Sequence, residues 1–80
     1  MKSSMEVSLY PLGTNDLGTS ISRFISILEE HGCHVETGSM STLVTADSSV
    51  LFDAMKQAYE HVSSKGGVVV VMKISNTCPV

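Results

Sequence analysis

Two apolar stripes at helical spacing, each closed by glycine and each flanked by strand-like runs, leave this chain few folds. Ile21, Phe24, Ile25 and Leu28 recur at i, i+3, i+4 and i+7, which predicts an amphipathic helix. Thr19 or Ser20 is positioned to cap it, and Glu29, Glu30 and His31 lead into Gly32, a natural C′ stop. Ile27 falls off the main stripe, so this helix is expected to touch something besides its own sheet. Val50, Leu51, Ala54, Met55, Ala58, Tyr59 and Val62 predict a second helix, capped by Asp47 or Ser48 and ended by Lys65, Gly66 and Gly67.

The intervening runs read as strands. Met5 to Leu12 alternates, with Met5, Val7 and Leu9 on one face and Glu6, Ser8 and Tyr10 on the other; Pro11 must lie at its end or edge. Gly13 to Gly18 is rich in turn formers. Cys33 to Ser39 and Ser41 to Ala46 form a hairpin turning near Gly38 to Ser41. In Val68 to Ser75 the alternation fails: Val68, Val70, Met72 and Ile74 fill one face while Val69 and Val71 begin the other. A strand apolar on both faces wants cover on both. The order β-α-β-β-α-β is that of the ferredoxin-like α+β sandwich, one domain over residues 1–80, with a four-stranded antiparallel sheet in the order 4-1-3-2 and both helices on one face. The bare face would then carry Tyr10, Leu12 and, depending on register, Val69 and Val71, which marks an interaction surface and predicts a closed homo-oligomer.

Composition narrows the function. A domain of this size buries only about 60% of the surface its unfolded chain exposes. Yet 42% of the 80 residues are hydrophobic and 16% charged, too apolar for a disordered chain. A net charge of −3 with four aromatics and no Trp is unsuited to gripping phosphate backbones, so no nucleic-acid partner is expected. No apolar run approaches the roughly 18 residues of a membrane span. No basic and then apolar leader opens the chain, so the expected location is cytoplasmic.

The fold hosts many functions and names none by itself. Metal transfer would want a Cys-x-x-Cys loop after the first strand; the segment from Gly13 to Gly18 has no cysteine. RNA recognition would want paired aromatics on central strands, and only Tyr10 qualifies. An acylphosphatase would need an arginine in the first loop, whereas Arg23 lies within the helix. His31, Cys33 and His34 cluster around Gly32, but Cys33 and His34 are strand neighbours and point to opposite faces. They predict neither a metal site nor a catalytic pair, and the chain is expected to be no enzyme and to need no cofactor. Cys33 and Cys78 are not expected to bond within one chain, because opposite sheet edges lie three strand spacings apart, roughly 14 Å. The hairpin is rich in hydroxyls: Thr37, Ser39, Ser41, Thr42 and Thr45, with Met40 among them, and Ser20 and Ser22 open the first helix. Such a set suits a flat, weakly charged heterocycle. From the residues alone, the simpler reading is that these hydroxyls fill turns, strand edges and caps.

The chain resembles the thiamine-binding protein family, formerly a domain of unknown function, over nearly its whole length. The resemblance rests on Pro11-Leu12-Gly13-Thr14, Ser20-Ile21-Ser22-Arg23-Phe24-Ile25, Met40-Ser41-Thr42 and Met72-Lys73-Ile74 in that order. It implies a ferredoxin-like fold, sheet-mediated dimers or tetramers, and non-catalytic binding of thiamine or its hydroxymethylpyrimidine half. It also implies ligand-binding roles for Ser20, Ser22, Phe24, Met40, Ser41 and Thr42. Phe24 stands where the family has tyrosine, Ser41 where it has glycine, and Thr45 where an acidic residue is frequent. Ser75, Asn76 and Thr77 replace charged residues. The alternative reading is a regulatory or structural assembly module without a small ligand.

Overall fold

The structure is a computed structural model that describes residues 1–13, 17–38 and 41–77. Its elements run β1 (Lys2–Pro11), α1 (Leu17–Glu30), β2 (His34–Thr37), β3 (Thr42–Asp47), α2 (Ser48–Ser63) and β4 (Val68–Ser75). They form an open antiparallel sheet in the order β2-β3-β1-β4, the predicted 4-1-3-2 read from the other edge.

β1 starts three residues before the predicted Met5, because Lys2, Ser3 and Ser4 pair with Asp47, Ala46 and Thr45. The apolar alternation had hidden this: the core-facing position there is Ser3, which is buried. Met5 and Val7 follow it on the same face and are buried against both helices' stripes. β2 and β3 are shorter or shifted relative to the predicted Cys33–Ser39 and Ser41–Ala46. Cys33 belongs to the end of α1 instead. Gly32 N–H donates to Glu29 C=O at 3.0 Å and Cys33 N–H to Leu28 C=O at 3.1 Å, with Gly32 at φ +90°. This is a Schellman stop in which only glycine sits at ease.

α1 corrects the predicted cap. It begins at Leu17, so Thr19 and Ser20 lie inside its first turn. Gly18, read as loop, is also helical, since intrinsic propensity is a weak prior. Ile27 is buried, and α1 packs against α2 as well as the sheet, which accounts for its place off the stripe. α2 has Asp47 at its N-cap, but the carboxylate makes no capping bond. It lies 2.9 Å from the Met1 α-ammonium and accepts from the Ser49 hydroxyl at 3.0 Å. Those two hydrogen bonds, the first above all, hold the Asp47 carboxyl below the usual carboxylate range. Tyr59, predicted on the α2 stripe, is exposed, as is Phe52; Leu51, Ala54, Met55, Ala58 and Val62 carry the burial.

Cys33 is a free, buried thiol, and burial pushes its pKa up. Cys78 lies outside the described residues, as does the predicted contact residue Met40.

Candidate functional site

The site arises from a mismatch in strand length. β1 makes its last pair with β3 at Val7 and Thr42, but stays paired with β4 as far as Pro11 and Val68. The β2–β3 hairpin turns back at that level. Thr37 faces Thr42 in its last strand pair, and Gly38 N–H donates to Ser41 C=O at 2.9 Å. A Cβ on Gly38 would stand 2.9 Å from that same Ser41 oxygen, so the approach requires glycine.

Between the end of β1, the base of the hairpin and the first turns of α1 lies a cavity of about 190 Å³. Ile21, Phe24 and Ile25 of α1 and Val7 and Leu9 of β1 give it apolar walls; Ser8, Tyr10, Thr37, Ser41 and Thr42 add hydroxyl-bearing residues. Among the described residues that line it, none is charged and none is a histidine, cysteine or carboxylate. The helical period explains the α1 contribution: positions 21, 24 and 25 share one face.

Of the residues predicted from the sequence, Phe24, Ser41 and Thr42 come together here. Phe24 is 2% exposed and so belongs to the core as well as to the wall. Ser20 sits one turn before Phe24 and is half-buried, but it does not line the cavity. Ser22 lies about 200° around the helix from Phe24, is exposed, and its carbonyl accepts the Ser26 hydroxyl at 3.0 Å. Thr45 points to the bare face, opposite His34, and borders a second depression of about 490 Å³ at the other end of β3 with Lys2, His34 and Asp47. Its lack of a carboxylate therefore takes no charge from the 190 Å³ cavity. The contributions of Ser8, Tyr10, Ile21 and Gly38 were not foreseen. The signal was present in Tyr10 and Pro11, which extend β1 beyond the reach of a hairpin that turns at Gly38.

His31 ends α1 with Nδ1 2.9 Å from Ile27 C=O, and His34 Nε2 lies 3.3 Å from Glu36 Oε1 on the exposed face. Among the described residues no group of three or more His, Cys, Asp or Glu side chains converges as a metal site. No helix of the described residues is long and apolar enough to cross a membrane.

The architecture is that of a ferredoxin-like α+β domain with a small cavity at one end of its sheet. The family described as thiamine-binding protein matches residues 5–77, and the chain belongs to that family. No curated protein matches it by sequence. Among solved structures it is similar to a hypothetical protein of Methanocaldococcus jannascii, at 28% identity and a TM-score of 0.86, covering 96% of this chain and 81% of that one. It is similar also to a domain of unknown function, DUF77, from Bacillus cereus, at 25% identity and a TM-score of 0.80, covering 96% and 77%. A candidate thiamine biosynthesis/salvage protein of Thermotoga maritima shares the fold at 19% identity and a TM-score of 0.83, covering 96% and 85%.

Proposed function

We propose that this chain is a non-catalytic binding protein for a small neutral heteroaromatic ring, best matched by the hydroxymethylpyrimidine half of thiamine, and that it works as a homo-oligomer. The observation that carries this reading is the composition of the cavity: apolar walls, a hydroxyl-bearing rim and no charged side chain among the described lining residues. A ring can leave water there, exchanging its hydrogen bonds for those of Ser41, Thr42 or Thr37 while its face meets Phe24. At about 190 Å³ the cavity is smaller than the ~300–1,000 Å³ typical of clefts for larger ligands, so it suits one ring better than two. A cationic thiazolium would find no carboxylate among the described lining residues. Among the described residues the lining also offers no histidine or carboxylate to act as a general base, which favours binding over catalysis.

The family's description supports thiamine as the chemical neighbourhood of the ligand. The oligomer is inferred from Val69 and Val71, 46% and 52% exposed on the sheet face without helices. We take the protein to act in the cytoplasm, where a thiol such as Cys33 stays reduced. Calorimetry with thiamine and with 4-amino-5-hydroxymethyl-2-methylpyrimidine tests the reading. The pyrimidine should bind within about tenfold of thiamine. Absence of binding by both at millimolar concentration would replace it with that of an assembly module, which the exposed valines favour.

A further inference from the structure

β4 forms one edge of the sheet, and among the described residues no strand lies beyond it. Residues 78–80 are too few to run back along its eight positions. In an antiparallel strand the N–H and C=O of one residue point to the same side, and successive residues alternate sides. Leu12 N–H donates to Gly67 C=O, and the β1–β4 register runs on from Pro11–Val68 to Ser4–Ser75 without a bulge. Odd-numbered residues of β4 therefore turn their peptide groups to β1, while Val68, Val70, Met72 and Ile74 turn theirs outward. The side chains of these four lie on the helix side of the sheet, because Met72 and Ile74 pair with the buried Val7 and Met5. Val68 and Val70 pack against the core, whereas Met72 and Ile74 are 42% and 41% exposed. The flank of α2 above them is apolar too. α2 packs on β3, β1 and β4 and against α1, while α1 packs on β2 and β1. By the helical period Val50 and Ala54 share one flank of α2, and Phe52 and Tyr59 the opposite one. Val50 and Ala54 pack into the core, as the flank that meets α1 does. Phe52 and Tyr59 therefore overlook β4, and both are about half exposed.

We propose that this side is an interface between two copies of the chain, in which β4 pairs antiparallel with β4 of the partner copy and the two α2 helices close over the join. A two-fold axis pairs outward-turned residues with outward-turned residues. Of the registers it allows, the one that sets Val71 opposite Val71 of the partner copy leaves no outward peptide of β4 over. Val70 then pairs with the partner's Met72, and Val68 with the partner's Ile74, which makes roughly eight hydrogen bonds between the chains. Each exposed Met72 and Ile74 thereby gains a valine beside it. Strands lie about 4.8 Å apart, so helices riding over β1 and β4 of the two copies come about 10 Å apart, the distance at which helices pack. α2 runs antiparallel to β4, and Phe52 and Tyr59 stand on either side of its midpoint, as Val71 stands near that of β4. Phe52 thus meets the partner's Tyr59. The occupant is a second copy because the surface complements itself. Lys73, the one charged residue of β4, pairs with Glu6 on the other face and stands opposite the partner's Val69, so no like charges meet. The four exposed side chains present on the order of 300 Å² of apolar surface per copy. The strand edge brings this side toward the ~800 Å² that a stable interface takes from each partner. The inference rests on the homo-oligomer of the proposed function, and deepens it by naming a surface and a register.

The test is amide hydrogen exchange of the ¹⁵N-labelled full chain, with light scattering of the wild type and of Phe52→Glu. In the assembled wild type the outward amides of Val70 and Met72 should exchange about tenfold or more slowly than in Phe52→Glu. Phe52 is half exposed within one chain, so the variant should keep its circular dichroism and fall to about half the wild-type mass or less. Should it unfold instead, the exchange pattern of the wild type decides alone. An assembled wild type in which Val70 and Met72 exchange freely while Val69 and Val71 are protected overturns this inference and leaves an oligomer built on the bare sheet face. A folded Phe52→Glu that assembles as wild type does the same. A wild type of one-chain mass overturns both this inference and the oligomer of the proposed function, and protection of Val70 and Met72 in that monomer would show another segment of the chain on the edge. Calorimetry with the pyrimidine reports on the ligand separately from all of these.

Discussion

Val7 stands opposite Thr42, and theirs is the last pair that β1 and β3 make, although β1 runs on through Pro11. Everything distinctive about the cavity follows from that early parting. The residues on either side of the break therefore control the site without being remote from the core, which separates the substitutions that report on binding from those that report on folding.

Thr42 is half-buried in β3 and borders the cavity. Thr42→Val keeps its shape and β-branching and removes one hydroxyl. It should weaken pyrimidine binding by about 0.5–1.5 kcal/mol if that hydroxyl makes one neutral hydrogen bond, and more if a ligand group is left unpaired. The thermal midpoint should barely change. Ser22→Ala is the control: Ser22 is exposed and faces away from Phe24, so calorimetry should give the wild-type affinity. Wild-type affinity in Thr42→Val would move the site elsewhere.

Gly38 is held 2.9 Å from Ser41 across the hairpin, and its missing side chain is what allows this. In Gly38→Ala the new Cβ would meet a backbone oxygen that cannot rotate away. The hairpin must open, at a cost of about 1–3 kcal/mol. Both denaturant midpoint and ligand affinity should fall, since Ser41 and Thr42 move together. An unchanged midpoint would mean that the hairpin is looser than this geometry.

Phe24 joins the two roles more tightly. Truncation to alanine removes a core side chain that is 2% exposed and should cost about 3–5 kcal/mol, enough to endanger so small a domain. Phe24→Leu should cost much less and still enlarge the cavity. Its diagnostic is a folded protein, by circular dichroism and denaturant melt, with reduced affinity for the pyrimidine. If Phe24→Leu binds as tightly as wild type, the aromatic face is not a ligand contact.

The sequence carried the fold through periodicity. Ile21, Phe24, Ile25 and Leu28 could only be a helix face, and the valines of β4 could only be a strand, so the element order and the sheet order were legible. The ends were not. Ser3 is a core-facing residue without an apolar side chain, which hid the start of β1. Gly18 looked like loop and is helical, which moved the cap away from Ser20. The site was legible only where it coincided with composition. Hydroxyls at Ser41 and Thr42 mark the hairpin, but the level at which the described pairs of β1 and β3 end is a property of register rather than of any residue type.

Cys33 closes α1 and lies 6% exposed, and burial pushes its thiol pKa up. The thiolate is the reacting form, so both effects oppose modification. Alkylation of the Cys33-containing peptide in the native protein at pH 8 should be slower than in the unfolded protein by more than about tenfold. Mass mapping after a timed quench measures this. Equal rates in the two states would contradict the buried position. Raising the pH should speed the native reaction only as the thiolate fraction grows, with the midpoint above that of an ordinary thiol.

Val71 stands opposite Ser8 on the sheet face that no helix covers, next to the Tyr10 and Val69 pair. β4 is also an edge strand of eight residues, with Met72 and Ile74 exposed on its other face. Natural edges are usually blunted by charge, and here Lys73, 3.9 Å from Glu6, is the one charged residue along the strand. An apolar face and an apolar edge meeting at Val71 predict association of this chain with copies of itself. Light scattering on a size-exclusion column should return at least twice the 8.5 kDa chain mass at micromolar concentration. Val71→Asp would place a carboxylate without a partner inside that contact, and should return the mass toward that of one chain, because an ionised group is costly to desolvate unpaired. The same substitution should leave the thermal midpoint of the monomer nearly unchanged, since Val71 is 52% exposed within one chain. A wild-type protein that elutes as a single chain, or a Val71→Asp protein that assembles as wild type does, would show that this face is not the contact.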